Sequence, residues 1–294
     1  MLEVTKRDSP RVVCYGEALV DLVAARRGAL GSTPTFHRML GGAPANVAYG
    51  LARLGVRAAF AGAVGDDAFG EYLLTRLARA GVDVSACERY AARPTGLSFV
   101  AIDKHGERSF AGYGAPTADR FFVGGAQFLD LIGRAEVFHF GSNVLMERTA
   151  RDATERAIHV AQKAGVRVTF DPNLRPHLWS SAREMIDAVN EFAELADVVK
   201  VSADELVTLP GLSMRAPVVV VTLGKTGATA LSNAGDVFRA TRGIRPVDTT
   251  GAGDAFMAGF LASTVDAPDD IGHALAAGNR AARRCSARLG ASTW

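Results

Sequence analysis

Nine consecutive residues concentrate the chemistry of this chain: Asp248-Thr249-Thr250-Gly251-Ala252-Gly253-Asp254-Ala255-Phe256, followed by a run of small and apolar residues at 257–262. The run reads as a helix, which places the Gly-Ala-Gly turn at a helix N-terminus. The first N–H groups of a helix have no intrahelical partner, and glycine has no Cβ to hold an anion away from them. Gly251, Ala252 and Gly253 therefore predict a phosphate or oxyanion pocket. Asp254, in the first turn, would repel that anion if its task were only electrostatic. It makes better sense as the base that takes a proton from a hydroxyl attacking phosphorus. The plainer alternative is a carboxylate that merely favours the positive helix end, worth a few tenths to ~1 kcal/mol.

A second block, Gly41-Gly42-Ala43-Pro44-Ala45-Asn46, stands near the other end of the chain and opens onto Val47, Leu51 and Leu54 at helical spacing, with Gly55 as the stop. Pro44 suits the first turn of that helix. The paired glycines let a ligand lie against backbone, and Asn46 offers donors and acceptor lone pairs to vicinal hydroxyls. One block thus suits a phosphoryl group and the other a polyol.

In this order the two blocks resemble the C-terminal and N-terminal signatures of the ribokinase-like (PfkB) carbohydrate kinases, nearest to fructokinases and 2-keto-3-deoxygluconate kinases. The resemblance runs over nearly the whole chain. It implies ATP-dependent phosphorylation of a small sugar's hydroxymethyl group, with fructose to fructose 6-phosphate ahead of 2-keto-3-deoxygluconate, ribose or a nucleoside. The non-enzymatic alternative is a catalytically idle sugar sensor; the intact Asp254 and both glycine blocks speak against it.

The resemblance also assigns roles. Asp254 is the base, and the Gly251, Ala252 and Gly253 amides receive charge from the transferring phosphoryl group. Asp21, Gly41, Gly42 and Asn46 hold the sugar, and Asp21 has the plainer alternative of a cap. Thr222, Gly224, Gly227 and Asn279 line the nucleotide site. Glu205 holds the waters of a Mg²⁺ bound mainly to nucleotide phosphates; its spacing from Ser202 is also that of a capping box. Asp248 either helps to bind a monovalent cation such as K⁺ or caps the glycine turn. Within Asp171-Pro172-Asn173-Leu174-Arg175-Pro176, stiffened by its prolines, Arg175 either reaches the substrate or a phosphate or pairs with Asp171. Relatives carry an arginine soon after a tyrosine of the lid; here Gly114 follows Tyr113.

Stretches at 11–16, 57–62, 137–141, 167–171, 196–201 and 217–224 read as strands, and those at 69–80, 147–164 and 269–288 as helices. The expected fold is a three-layer α/β/α doubly wound sheet, one domain over residues 1–294, with a small β-sheet lid from about 18–40 and 95–114. In that lid, strands at 95–103 and 107–112 form a hairpin around Lys104-His105-Gly106. A lid excludes water, which would otherwise accept the phosphoryl group. Its exposed edge and the resemblance suggest a homodimer through the lid. The loop Gly65-Asp66-Asp67 is read as structural.

Composition narrows the partners. With 294 residues, 48% hydrophobic, 22% charged and a net charge of +2, the chain calls for neither nucleic acid nor a membrane. Cys14, Cys87 and Cys285 show no metal-ligand spacing and suit a reducing cytoplasm. No signal-like apolar core and no run of about 18 apolar residues occurs, so a cytoplasmic location is expected. The six histidines are scattered. Gly224-Lys225-Thr226 lacks the earlier glycine of a Walker A loop, no Gly-x-Gly-x-x-Gly follows the first strand, and no Gly-x-Ser-x-Gly elbow occurs.

Overall fold

The computed structural model describes residues 9–102, 108–112, 116–208, 211, 215–288 and 290–291. In chain order the strands are β1 (Val12–Tyr15), β2 (Leu19–Ala24), β3 (Phe36–Gly41), β4 (Ala58–Gly65), β5 (Cys87–Tyr90), β6 (Leu97–Ile102), β7 (Arg108–Ala111), β8 (Val137–Gly141), β9 (Arg167–Asp171), β10 (Val198–Ser202), β11 (Val218–Thr222), β12 (Gly227–Ser232) and β13 (Val237–Ala240). The helices are α1 (Ala43–Arg53), α2 (Ala68–Arg79), α3 (Ala126–Arg134), α4 (Arg148–Ala164), α5 (Ala182–Ala193), α6 (Ala203–Thr208), α7 (Ala252–Asp266) and α8 (Ile271–Ser286).

Nine strands form the main sheet in the order β13-β12-β11-β10-β9-β8-β1-β4-β5. From β11 to β5 every pairing is parallel, whereas β12 joins both β11 and β13 antiparallel. Parallel strands covered on both faces read as near-continuous apolar runs; all four residues of β1 and all eight of β4 are buried. Side chains of β1 alternate between two cores. Val13 and Tyr15 join Phe128 and Ile132 of α3, Ile158 of α4 and Phe192 of α5 on one face. Val12 and Cys14 join Val47 and Leu51 of α1, Leu73 and Leu77 of α2, Phe256 and Phe260 of α7 and Leu275 of α8 on the other. This is the expected three-layer arrangement. Elements such as β5, β13, α3 and α5 go beyond the sequence reading, and Leu54, placed there on the apolar stripe of α1, is 37% exposed.

A second sheet has the order β3-β2-β6-β7 and draws on both expected lid segments. Asp21 of β2 lies opposite Met39 of β3 and Ser98 of β6. The turn Lys104-His105-Gly106 and Gly114 fall outside the described residues. Asp67 ties the two sheets together: its carboxylate caps α2 through the Phe69 and Gly70 amides and accepts from the Thr95 amide and hydroxyl ahead of β6. No helix of the described residues is long and apolar enough to cross a membrane.

Candidate active site

In the main sheet, β4 and β8 leave β1 on opposite sides, so the strand order reverses there and a crevice opens at the carboxyl ends. Two helix N-termini meet in this crevice. Helix α1 starts after Gly42, at φ 93°, where a Cβ would lie 2.3 Å from the Glu17 carbonyl oxygen. Helix α7 starts after Gly251, at φ 70°, where a Cβ would lie 2.2 Å from the Ala291 Cβ. Both positions demand glycine, by backbone conformation and by space. Together the two termini line a cavity of about 710 Å³, with Glu17, Asp21, Gly42, Asn46, Arg175 and the turn Thr249 to Asp254 in its wall.

The Asn46 side-chain amide donates to Asp254 Oδ2 at 2.8 Å, joining the two sequence blocks directly. Burial pushes the Asp254 carboxyl above its ordinary pKa; the Asn46 hydrogen bond and the charges of Lys200 and Arg175 oppose this without cancelling it. Asp254 is therefore a more proton-avid base than a solvated aspartate, at the mouth of an amide-lined turn. Asp248 holds that turn closed. Its Oδ1 accepts the Thr250 N–H at 2.6 Å and its Oδ2 accepts the Gly290 N–H at 2.7 Å.

At the other end of the cavity, Glu17 accepts the Ala43 N–H at 3.0 Å, and burial is the chief cause that pushes its carboxyl up to about 7. Asp21 is buried, and its carboxylate occupies the space that a side chain at 41 would need, since a Cβ on Gly41 would lie 2.4 Å from Asp21 Cγ. Gly41 thus serves Asp21, whereas Gly42 itself lines the cavity. Among the described residues, four buried oxygens in this wall, Asn46 Oδ1, Asp119 Oδ1, Asn143 Oδ1 and Thr250 Oγ1, have no hydrogen-bond partner. Asp119 and Asn143 were not singled out in the sequence. Each sits on a short 3₁₀ turn, Ala118–Phe121 and Ser142–Leu145, which carries no periodic pattern to mark it.

A second cavity, of about 910 Å³, adjoins the first and shares Asn173, Arg175, Thr249, Ala252 and Gly253 with it. Its remaining wall includes Thr222, Gly224, Lys225, Thr226, Glu205 and Lys200. Two further residues expected at the nucleotide, Gly227 and Asn279, line neither of these cavities. Gly227, at φ 130°, lets β12 approach β13, because a Cβ would lie 2.2 Å from the Arg239 carbonyl oxygen. The Asn279 amide donates to that same carbonyl at 2.8 Å.

Glu205 forms the capping box, accepting the Ser202 amide and hydroxyl at 2.8 Å each, while its other oxygen accepts the Leu174 N–H at 2.8 Å. The Asp171–Arg175 pair is not formed. Asp171 instead holds Lys200, at 2.9 and 3.2 Å, and Arg175 donates to Asn173 Oδ1 at 2.9 Å and to the Asn173 and Leu174 carbonyls. Among the described residues, no group of three or more His, Cys, Asp or Glu side chains is placed to hold a metal ion.

A poised carboxylate, an anion-binding turn shared by two cavities and a wall of unsatisfied acceptors define a phosphotransferase that uses an alcohol as acceptor. The chain belongs to the pfkB family of carbohydrate kinases, whose profile matches residues 9–293. It is an ATP-dependent sugar kinase. It is 40% identical to Fructokinase-1 of Oryza sativa subsp. japonica over 276 residues, covering 90% of this chain and 85% of that one. It is 39% identical to Fructokinase-2 of Solanum habrochaites over 271 residues, covering 87% and 82%. Among solved structures, a fructokinase from Vibrio cholerae O395 with fructose, ADP and calcium bound matches with a TM-score of 0.85 and 34% identity, over 97% of this chain and 95% of that one. An ATP-bound fructokinase from Xylella fastidiosa matches with a TM-score of 0.82 and 30% identity, over 96% and 94%.

Proposed function

We propose that this kinase transfers the γ-phosphoryl group of ATP to the 6-hydroxyl of fructose. The observation that carries the choice of acceptor is the set of orphaned amide and carboxylate oxygens, on Asn46, Asp119 and Asn143, in one cavity wall of the described residues. A buried acceptor without a donor is costly, and a neutral polyol supplies one O–H to each. An acidic sugar such as 2-keto-3-deoxygluconate would bring a carboxylate against Glu17, Asp21 and Asp119, while the guanidinium of Arg175 is engaged by Asn173 and Leu174. The names of the similar proteins, and the fructose in the Vibrio cholerae structure, favour the same sugar.

In this reading Asp21, Gly42 and Asn46 fix the sugar so that its hydroxymethyl group lies between Asp254 and the turn. Asp254 removes the proton as the oxygen attacks, and the amides of the Gly251 to Gly253 turn stabilise charge on the phosphoryl oxygens. Mg²⁺ would neutralise the nucleotide phosphates, from which it takes most of its ligands. Glu205 would meet it only through water, both its oxygens being engaged by backbone amides. K⁺, found in another Vibrio cholerae fructokinase structure, would lie near the Asp248 turn and draw on main-chain carbonyls, since the Asp248 oxygens already accept two amides. The edge strands β3 and β7 leave the lid sheet open to a second copy, and we extend the proposal to a lid-mediated homodimer in the cytoplasm; solution mass tests the dimer.

The deciding experiment is ADP release with Mg-ATP over fructose, 2-keto-3-deoxygluconate, ribose and a nucleoside. Fructose is expected to give the highest kcat/KM. A higher value with another acceptor would replace the assigned sugar, and no ADP release with any of them would leave the idle sensor.

A further inference from the structure

We propose that Lys200 is a phosphate-binding residue, its ammonium held by Asp171 beneath Gly253 so that it donates to the γ-phosphate of the bound nucleotide. The proposal rests on the reading of the chain as an ATP-dependent kinase and adds a residue that neither glycine block contains.

Lys200 lies within β10, Val-Val-Lys-Val-Ser, in the parallel part of the sheet, and is 5% exposed. An ammonium at such a position is expensive to desolvate, and a buried ion pair is often no more stabilising than well-packed apolar residues. Stability therefore gives little reason for a charge there. The nitrogen's location supplies one. Lys200 lines the nucleotide-side cavity with Ala252 and Gly253. A Cβ on Gly253 would lie 3.2 Å from Lys200 Nζ, so the absent side chain leaves the ammonium facing the anion-binding turn.

The ammonium has capacity for this contact. It carries three N–H donors, and among the described residues its hydrogen bonds run to the two oxygens of Asp171. Burial on its own would pull its pKa down, but Asp171, Glu205 and Asp254 outweigh burial and hold it above the ordinary lysine value, so it stays charged. A γ-phosphate entering here approaches the same three carboxylates. Of the other cations in this wall, Arg175 is tied to Asn173 and Leu174, and Lys225 is exposed at the tip beyond β11. Among the described cations of this wall, Lys200 is the one whose charged group faces Gly253 of the turn that the phosphoryl group crosses.

The test compares nucleotides that differ in the γ-phosphate. Calorimetric Kd values for the non-hydrolysable analogue AMP-PNP and for ADP are measured on the wild type, Lys200→Met, Lys200→Arg and the double variant Asp171→Asn/Lys200→Met. The double variant leaves no unpaired buried charge and guards against misfolding of the single one. Removing the ammonium is expected to weaken AMP-PNP by about tenfold or more relative to ADP, the effect of one lost hydrogen bond to a charged group. Fructose affinity should stay within about threefold, and Lys200→Arg should recover part of the loss. Equal weakening of both nucleotides in the double variant, or no weakening, overturns the proposal. Wild-type protein that binds neither nucleotide would instead overturn the kinase reading itself.

Discussion

Replacing Asn46 with leucine, which has the same branched heavy-atom skeleton but donates nothing, isolates the bond between the two glycine blocks. In the wild type the Asn46 amide donates to Asp254 Oδ2 at 2.8 Å. A hydrogen bond to a charged group contributes about 1.5–3 kcal/mol, and each unit of pKa corresponds to about 1.36 kcal/mol. Losing the bond should therefore raise the Asp254 pKa by about one to two units, on top of the rise that burial already causes. Lys200 from β10 and Arg175 from the loop after β9 still favour the carboxylate, and Asp171 opposes them. The active form of the base is the ionised one, so a higher pKa removes it from the acid side. The acid limb of kcat/KM moves to higher pH by the same one to two units, and activity below the limb falls about ten- to a hundredfold more than activity above it.

The assay is ADP production coupled to a pH-tolerant indicator reaction, followed from the acid range to well above neutrality. Asn46 also faces the sugar, and leucine there raises KM at every pH. That displaces the whole profile downward without moving its limb, so the two effects separate in one data set. An unmoved limb, with activity reduced uniformly, would refute the claim that Asn46 sets the proton affinity of Asp254.

Three further substitutions have defined outcomes. Asp254→Asn should lower kcat by about 10² to 10⁴ while fructose and nucleotide Kd values stay near wild type; near-normal turnover would remove Asp254 as the base. Gly251→Ala should lower both turnover and thermal stability, because a residue at φ 70° is strained by about 1–2 kcal/mol and its Cβ must displace Ala291; full activity would show that the turn tolerates movement. Asp67→Ala should cost about 2–4 kcal/mol in urea unfolding at neutral pH, from the lost helix cap and the bonds to Thr95. Burial would raise the Asp67 pKa, but the Thr95, Gly70 and Phe69 bonds lower it further, for a net depression. Its contribution is therefore present above the unfolded pKa of about 3.9 and disappears as pH falls through the folded value, so the gap to the variant should close in strong acid. A gap independent of pH would contradict that account.

What the sequence revealed about the site follows the reach of each constraint. Gly42 and Gly251 were visible because positive φ and steric closeness are recorded in the residue type itself. The Asp171–Lys200 pair was not, since it depends on which strands are neighbours. The register that sets Val198 beside Thr169 and Val199 beside Phe170 brings Lys200 up to Asp171, across 29 residues. Sequence proximity pointed to Arg175 instead, and strand adjacency decided otherwise. Similarly, Asn279 and Gly227 were assigned by position in a motif, and their contacts to the Arg239 carbonyl of β13 were not readable there. Helix α5 carried a readable signal in Ser181, whose side chain caps the Glu184 amide, and in the buried Met185, Val189 and Phe192. The 3₁₀ turns that present Asp119 and Asn143 carried none.

The lid and the hydrogen-bond partner of the base are parts of one stretch of chain. Strand β3 ends at Gly41, Gly42 caps α1, and Asn46 lies in the first turns of that helix, bonded to Asp254. Asp21, on the neighbouring strand β2, fits its carboxylate into the space left by Gly41. A sugar held by Asp21 and Asn46 therefore touches the lid sheet and the partner of the base together, with no flexible linker between them. The physical consequence is that sugar binding, lid position and the hydrogen bond that tunes Asp254 are coupled through backbone. Such an arrangement suits a kinase, because the lid that would shield the site from water and the residue that bonds the base stand on one continuous stretch of backbone.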